Sequence, residues 1–152
     1  MNKFSYSAEG TLEFARLIAG ELGHTYVGSE HLLLALLSES DTDESVKRIF
    51  ESFNITYADV LRRIITFFGK GEKTTLSAKD ITTGLLKIIE KAFEISKKHS
   101  KGQVEVLHLG YALVSESECV ASQLIEKMGV SRSKICNLIF TTLENDKKMT
   151  FD

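Results

Sequence analysis

Four histidines and two cysteines are the side chains here best suited to hold a metal or attack a carbonyl, and their spacing argues against both. His24 and His31 are separated by six residues with no cysteine nearby, which matches neither HExxH nor a CxxC-based zinc pattern. Cys119 and Cys136 are isolated thiols without a CxxC. No Ser-His-Asp or Cys-His motif brings a nucleophile to a base, and there is no GxxxxGK[ST] loop to cradle nucleotide phosphates. The sequence thus offers no catalytic residue and no metal site, and no cofactor is expected within it. What remains are polar residues at predicted helix starts. Ser5 is placed to cap a helix, and Glu30 to favour the positive end of a helix dipole. His31 and His108 recur at matched positions and read as hydrogen-bonded structural residues on apolar helices.

The elements that position these residues come in two copies. The ten residues from His31 (HLLLALLSES) overlie the ten from His108 (HLGYALVSES) at an offset of 77, and seven of the ten are identical. The same offset pairs Phe4 with Ile81, Ser5 with Thr82, Leu12 with Ile89 and Val27 with Val104. Downstream the offset falls to 75, so that Phe50 overlies Ile125 and Ile64 overlies Ile139. A period this long suits two copies of a small bundle better than a solenoid array.

Each copy reads as four helices, and proline, the strongest helix breaker, is absent. In the first copy Ala8, Leu12, Ala15, Ile18 and Leu22 recur at helical spacing, and Gly23 stops that helix. Ser29 is expected to cap the second helix, Asp41 or Asp43 the third and Thr56 the fourth. In the second copy Thr82, Ser117 and Ser131 are the expected caps, with the helix between them beginning near Glu105 or Val106. Phe50, Phe53, Phe67 and Phe68 read as core and inter-repeat packing, with an exposed apolar patch formed by some of them as the alternative. The predicted fold is all-α: two tandem four-helix repeats packed with pseudo-twofold symmetry. Residues 1–152 are expected to form one domain, with repeat one at about 4–69, a linker at about 70–80, repeat two at about 81–144 and a polar tail at 145–152. A unit of about 70 residues is marginal alone, and pairing two along their apolar faces helps meet the burial requirement.

Composition excludes other classes. The hydrophobic content of 43% and charged content of 26% are those of a globular domain. A net charge of −2 gives no basic field for nucleic acid or anionic membrane. The start lacks a signal-peptide core, no run approaches 18 apolar residues, and two lone thiols suit a reducing compartment. A cytoplasmic location is expected.

The stretch Leu22-Gly23-His24-Thr25-Tyr26-Val27-Gly28-Ser29-Glu30-His31-Leu32-Leu33-Leu34-Ala35-Leu36 resembles the signature of the Clp N-domain family, which reads approximately LGHxxVG(T/S)EHLLLGL and falls in two tandem repeats. The resemblance covers about residues 4–144 and favours the ClpC/ClpA type, ClpC-like spacing above all. It implies a docking domain that receives adaptor proteins and unfolded or tagged substrates for a hexameric unfoldase with a peptidase partner, ATP being bound only by a module beyond residue 152. A stand-alone regulator binding the same partners is the alternative, and the downstream reading frame separates the two. In ClpC-type members the resemblance further implies phosphoarginine binding, with Glu30 meeting the guanidinium and the Ser5 hydroxyl the phosphate. The second copy departs from this pattern: Thr82 keeps the hydroxyl, but Leu107 replaces the carboxylate, so at most one competent pocket is expected.

Overall fold

A computed structural model describes residues 3–39, 43–99 and 102–149, without the side chains of 147–149. Ser5 ends an extended lead-in, and its hydroxyl accepts from the Ala8 N–H at 3.1 Å, starting α1 (Tyr6–Glu21). Gly23 ends that helix at φ 73°, a left-handed conformation that a side chain would strain. Then follow α2 (Ser29–Leu37), α3 (Ser45–Ser52) and α4 (Tyr57–Phe68), and after the inter-repeat segment α5 (Thr83–His99), α6 (Val106–Ser115), α7 (Val120–Lys127) and α8 (Arg132–Met149). The starts of α2 and α6 keep the 77-residue offset, and α3 and α7 keep the 75-residue offset over their whole length. Among the described residues no strand forms, and no helix is long and apolar enough to cross a membrane. The helix α8 runs past residue 144, so the expected polar tail begins as helix.

Local capping departs from expectation at three places. Gly28, not Ser29, is the N-cap of α2. The Ser29 hydroxyl instead accepts the Ala121 N–H at 3.0 Å, satisfying a free amide in the first turn of α7 in the other repeat. Cys119, not Ser117, caps α7, its sulfur accepting from Ser122 at 3.4 Å. Glu44, not Asp43, is the N-cap of α3; Asp43 accepts from both the N–H and the hydroxyl of Ser45 just ahead of it, while Asp41 lies outside the described residues. Thr56, Thr82 and Ser131 hold their expected places. Phe67 and Phe68 are largely exposed rather than core, and the Lys127 ammonium lies 4.7 Å over the Phe67 ring. They close the last turn of α4, beyond the reach of the packed face formed by Val60 and Ile64.

The two central helices carry the core. Every residue of α2 is buried, as are all but two of α6, which is the pattern of helices covered on all sides. Their approach to the other repeat uses small residues. A Cβ at Gly110 would lie 3.0 Å from Val46, which lets α3 pack directly on α6. At the symmetry-related positions, Leu33 and Ala121, the sizes are reversed, so bulk is matched by deletion on each side.

The repeats are joined by a reciprocal backbone clasp. Ser5 N–H donates to the Val104 carbonyl at 2.8 Å, and Val104 N–H donates to the Lys3 carbonyl at 2.7 Å. The symmetry-related pair is Thr82 N–H to Val27 at 3.0 Å and Val27 N–H to Asp80 at 2.7 Å. The lead-in of each repeat therefore docks on the first interhelical loop of the other.

The segment after α4 is an ordered strap across the end of α1. Thr74 N–H donates to the Gly20 carbonyl at 2.9 Å and Gly71 N–H to the Leu22 carbonyl at 2.8 Å, filling acceptors that a helix C-terminus leaves open. Only glycine permits this approach, since a Cβ at Gly20 would sit 2.3 Å from the Thr74 carbonyl oxygen. The strap separates two glycines of one helix. Gly20→Ala is expected to lose about 1–3 kcal/mol through forced displacement, a fall of several degrees in melting temperature. Gly10→Ala, where a Cβ meets nothing within 4 Å, should gain up to about 1 kcal/mol from helix propensity. Thermal melts of the two variants check the contrast.

Candidate functional site

Glu30 lies in the first turn of α2, directly after the clasp loop, and is 1% exposed. Its carboxylate folds back toward the helix start, accepting from the Tyr26 hydroxyl at 3.2 Å and from its own backbone N–H. Gly28 makes room for it, because a Cβ there would stand 2.4 Å from Oε1. Burial pushes the Glu30 carboxyl above the usual carboxylate range, against the pull of these two hydrogen bonds. Burial, and then the neighbouring carboxylate, push the Tyr26 hydroxyl up to about 12. No cationic side chain forms an ion pair with Glu30 among the described residues. A buried carboxyl without a cation is costly to ionise, which is why burial outweighs its hydrogen bonds.

Behind Glu30 runs a histidine relay. His31 Nδ1 faces the Gly28 N–H at 2.9 Å and must accept from it, so its proton sits on Nε2. That Nε2–H points at His24 Nδ1, 2.8 Å away, which places the His24 proton on Nε2, donating to the Gly69 carbonyl at 2.9 Å. Both rings are thereby fixed as neutral tautomers, and the chain of bonds ties the start of α2 to the end of α4. Tyr26 packs against both rings, at 5.9 Å and 5.5 Å between centroids. Burial drives His31 down to about 3. In the second repeat His108 Nδ1 accepts the Glu105 N–H at 2.8 Å in the same way, but its buried Nε2 has no partner, and burial drives it down to about 4. Both histidines thus reach back from the third helical position to the N–H of the N-cap residue, Gly28 or Glu105.

The clasp also redistributes the expected pocket residues. Ser5 sits at the far end of α1 from the Glu30 loop, and its backbone is hydrogen bonded to Val104, on the loop leading to Leu107. Thr82 is bonded instead to Val27, on the loop leading to Glu30. The clasp therefore ties Thr82, rather than Ser5, to the loop that leads to Glu30, and ties Ser5 to the loop that leads to the apolar, buried Leu107. Tyr26 and Gly28 escaped the sequence reading although they flank Glu30. Their signal was the tight Val-Gly-Ser-Glu spacing, which forces the carboxylate against its own helix start.

Of the open grooves that border α1, two share Phe14. One, of about 490 Å³, runs past Tyr6, Gly10 and Phe14 to the end of α2, with Glu9, Glu13, Glu39 and Asp43 on its walls. The other, of about 550 Å³, lies between α1, α4 and the strap. Phe14 and Leu17, 41% and 51% exposed, stand on the outward face of α1 beside it. Among the described residues no three His, Cys, Asp or Glu side chains converge to hold a metal ion.

Comparison with known proteins follows this geometry. Residues 3–85 and 80–150 each match the family model described as the Clp repeat (R) N-terminal domain. The ATP-dependent Clp protease ATP-binding subunit ClpA homolog of Cyanidium caldarium is 32% identical over 146 residues, which cover 93% of this chain and 17% of that protein. The negative regulator of genetic competence ClpC/MecB of Bacillus subtilis is 25% identical over 132 residues, covering 87% of this chain and 16% of that protein. The chain thus spans roughly one sixth of the length of these relatives. Among solved structures, the N-terminal domain of ClpD from Arabidopsis thaliana has the same fold, with a TM-score of 0.71 and 18% identity over 93% of this chain and 97% of that one.

The neutral histidines set a pH dependence. His31 and His108 stand near 6.5 when unfolded and far lower when folded. Between those limits the unfolded chain binds protons that the folded chain refuses, so stability is full above pH 6.5 and falls as the solution is acidified. Each histidine is worth about 2 kcal/mol between pH 7 and pH 5. Glu30, shifted upward, acts in the opposite sense and offsets part of the loss. Urea titrations at pH 7 and pH 5 should show a net destabilisation. It should be smaller in His31→Gln, which keeps an acceptor for the Gly28 N–H but cannot titrate.

Proposed function

Because this chain belongs to the Clp repeat N-terminal domain family, we propose that it is the substrate- and adaptor-docking domain of a ClpC-type ATPase, itself without catalytic activity. In this reading the ATP-binding module follows residue 152, assembles as a homo-hexamer with a peptidase partner, and receives proteins first engaged here. The observation that carries the proposal is the outward face of α1, where Phe14 and Leu17 stand open between two grooves. Large apolar side chains held exposed on rigid walls suit the capture of apolar segments in unfolded proteins.

A second, finer reading is phosphoarginine recognition, favoured by the buried Glu30 carboxylate that no cation neutralises. A guanidinium would pair with it in a charge-assisted, bidentate bond once the Tyr26 hydroxyl turned aside. The phosphate would then lie toward Thr82 and the free N–H groups of the first turn of α5. Leu107 gives the second repeat no such partner, so one site per chain is expected. The tags read by this domain are thus proposed to be exposed apolar segments and, at Glu30, a phosphorylated arginine.

One calorimetric series tests both readings. Reduced, carboxymethylated α-lactalbumin, which cannot fold, should bind and bind several-fold more weakly to Phe14→Ser; absence of binding would remove the docking reading. Free phosphoarginine should bind with at least tenfold loss in Glu30→Gln, a smaller loss in Thr82→Ala and no change in Ser5→Ala. Equal heats in wild type and Glu30→Gln would remove the site.

A further inference from the structure

We propose that the groove between α1, α4 and the strap is a specific receptor for acidic, apolar protein segments, an inference that rests on the docking reading above and names the class of segment. The floor of the groove is apolar, built from Phe14, Leu17, Leu61 and the ring of Tyr57. Its outer lip is cationic. Lys70 and Lys73 project from the strap, and Lys73 shares one exposed carboxylate, Glu21, at 3.1 Å. Arg16 forms the inner corner, where it donates to the Leu76 carbonyl and pairs with Glu13.

The walls are fixed before any ligand arrives. The strap is bonded to Gly20 and Leu22 of the α1 terminus, and its first residue, Gly69, is held by His24. A preformed groove spares a ligand the cost of ordering the receptor. Its volume of about 550 Å³ falls within the range of clefts that enclose several side chains.

Charge then selects the occupant. Toward the start of α1 the other groove carries Glu9, Glu13, Glu39 and Asp43, with no lysine or arginine among its lining residues. The two grooves share Phe14, so a segment that anchors an apolar side chain there meets opposite fields on its two sides. A segment carrying carboxylates is repelled from the acidic side and drawn across the strap lysines. A segment carrying lysines is turned the other way. Such complementarity sets orientation and on-rate more than raw affinity, and weakens as salt screens it.

The test is fluorescence anisotropy with two rhodamine-labelled probe peptides that share Leu and Phe anchors and differ only in having Glu or Lys at every flanking position. At low salt the Glu probe should bind at least tenfold more tightly than its Lys twin, and the gap should narrow as salt is raised. Leu17→Glu should cost the Glu probe tenfold or more, and the exposed pair Lys70→Glu with Lys73→Glu should abolish the preference even if Leu17→Glu proved unstable in a parallel melt. Equal binding of the twins, or loss of the Glu probe only in Tyr6→Glu on the acidic side, would overturn the proposal while leaving docking intact. If neither twin bound but unfolded α-lactalbumin did, the proposal would again fall alone; if neither bound and α-lactalbumin did not, the docking reading would fall with it.

Discussion

Four backbone hydrogen bonds between the repeats govern the rest of the molecule. Each repeat extends a lead-in that closes on the partner's first interhelical loop, through Ser5 with Val104 and Thr82 with Val27. A four-helix unit of this size buries too little apolar surface to be robust alone. Exchange of lead-ins makes each repeat's first helix start depend on the other repeat, since the capping residues Ser5 and Thr82 are also the clasp donors. Helix nucleation, inter-repeat packing and the placement of Glu30 are thereby coupled at the same two points. Gly110 against Val46 and the Ser29 hydroxyl against α7 reinforce that junction from the core side.

From this junction the molecule presents open grooves along α1. The histidines that looked most reactive are spent on architecture, each accepting an N–H at a helix start and, in the first repeat, passing a hydrogen bond on to the strap. The strap in turn forms one wall of a groove along α1. Glu30 is buried, accepts from the Tyr26 hydroxyl and has no ion-pair partner among the described residues. The second repeat has no counterpart, and its Leu107 packs as an ordinary apolar residue. Duplication therefore preserved the scaffold in both halves and left this feature in one.

Much of the fold was legible because duplicated sequence preserves helix phase. The shared HLLLALLSES-type segment fixed α2 and α6, and the change of offset from 77 to 75 located the shorter connection ahead of α7. What a repeat cannot reveal is whether its two ends meet within one copy or across two. Ser5 and Glu30 belong to one copy in sequence, yet the clasp bonds Ser5 to the loop ahead of Leu107 and Thr82 to the loop ahead of Glu30. Ser29 is not the cap of α2, because its hydroxyl accepts the Ala121 N–H across the repeats. Phe67 and Phe68 misled because apolar residues at a helix end have no face to pack on once the core stripe is filled. Phe14 and Leu17 could have been found as apolar residues lying off the Ala8-Ala15-Ile18 stripe of α1.

Native-state hydrogen exchange at the amides of Ser5, Val27, Thr82 and Val104 tests the central claim most directly. If the clasp makes one cooperative platform, all four should exchange only through global opening, with matching protection free energies and the same denaturant dependence. Exchange of one pair by local opening, at a free energy well below that of the α2 and α6 amides, would contradict it, leaving two repeats that merely touch.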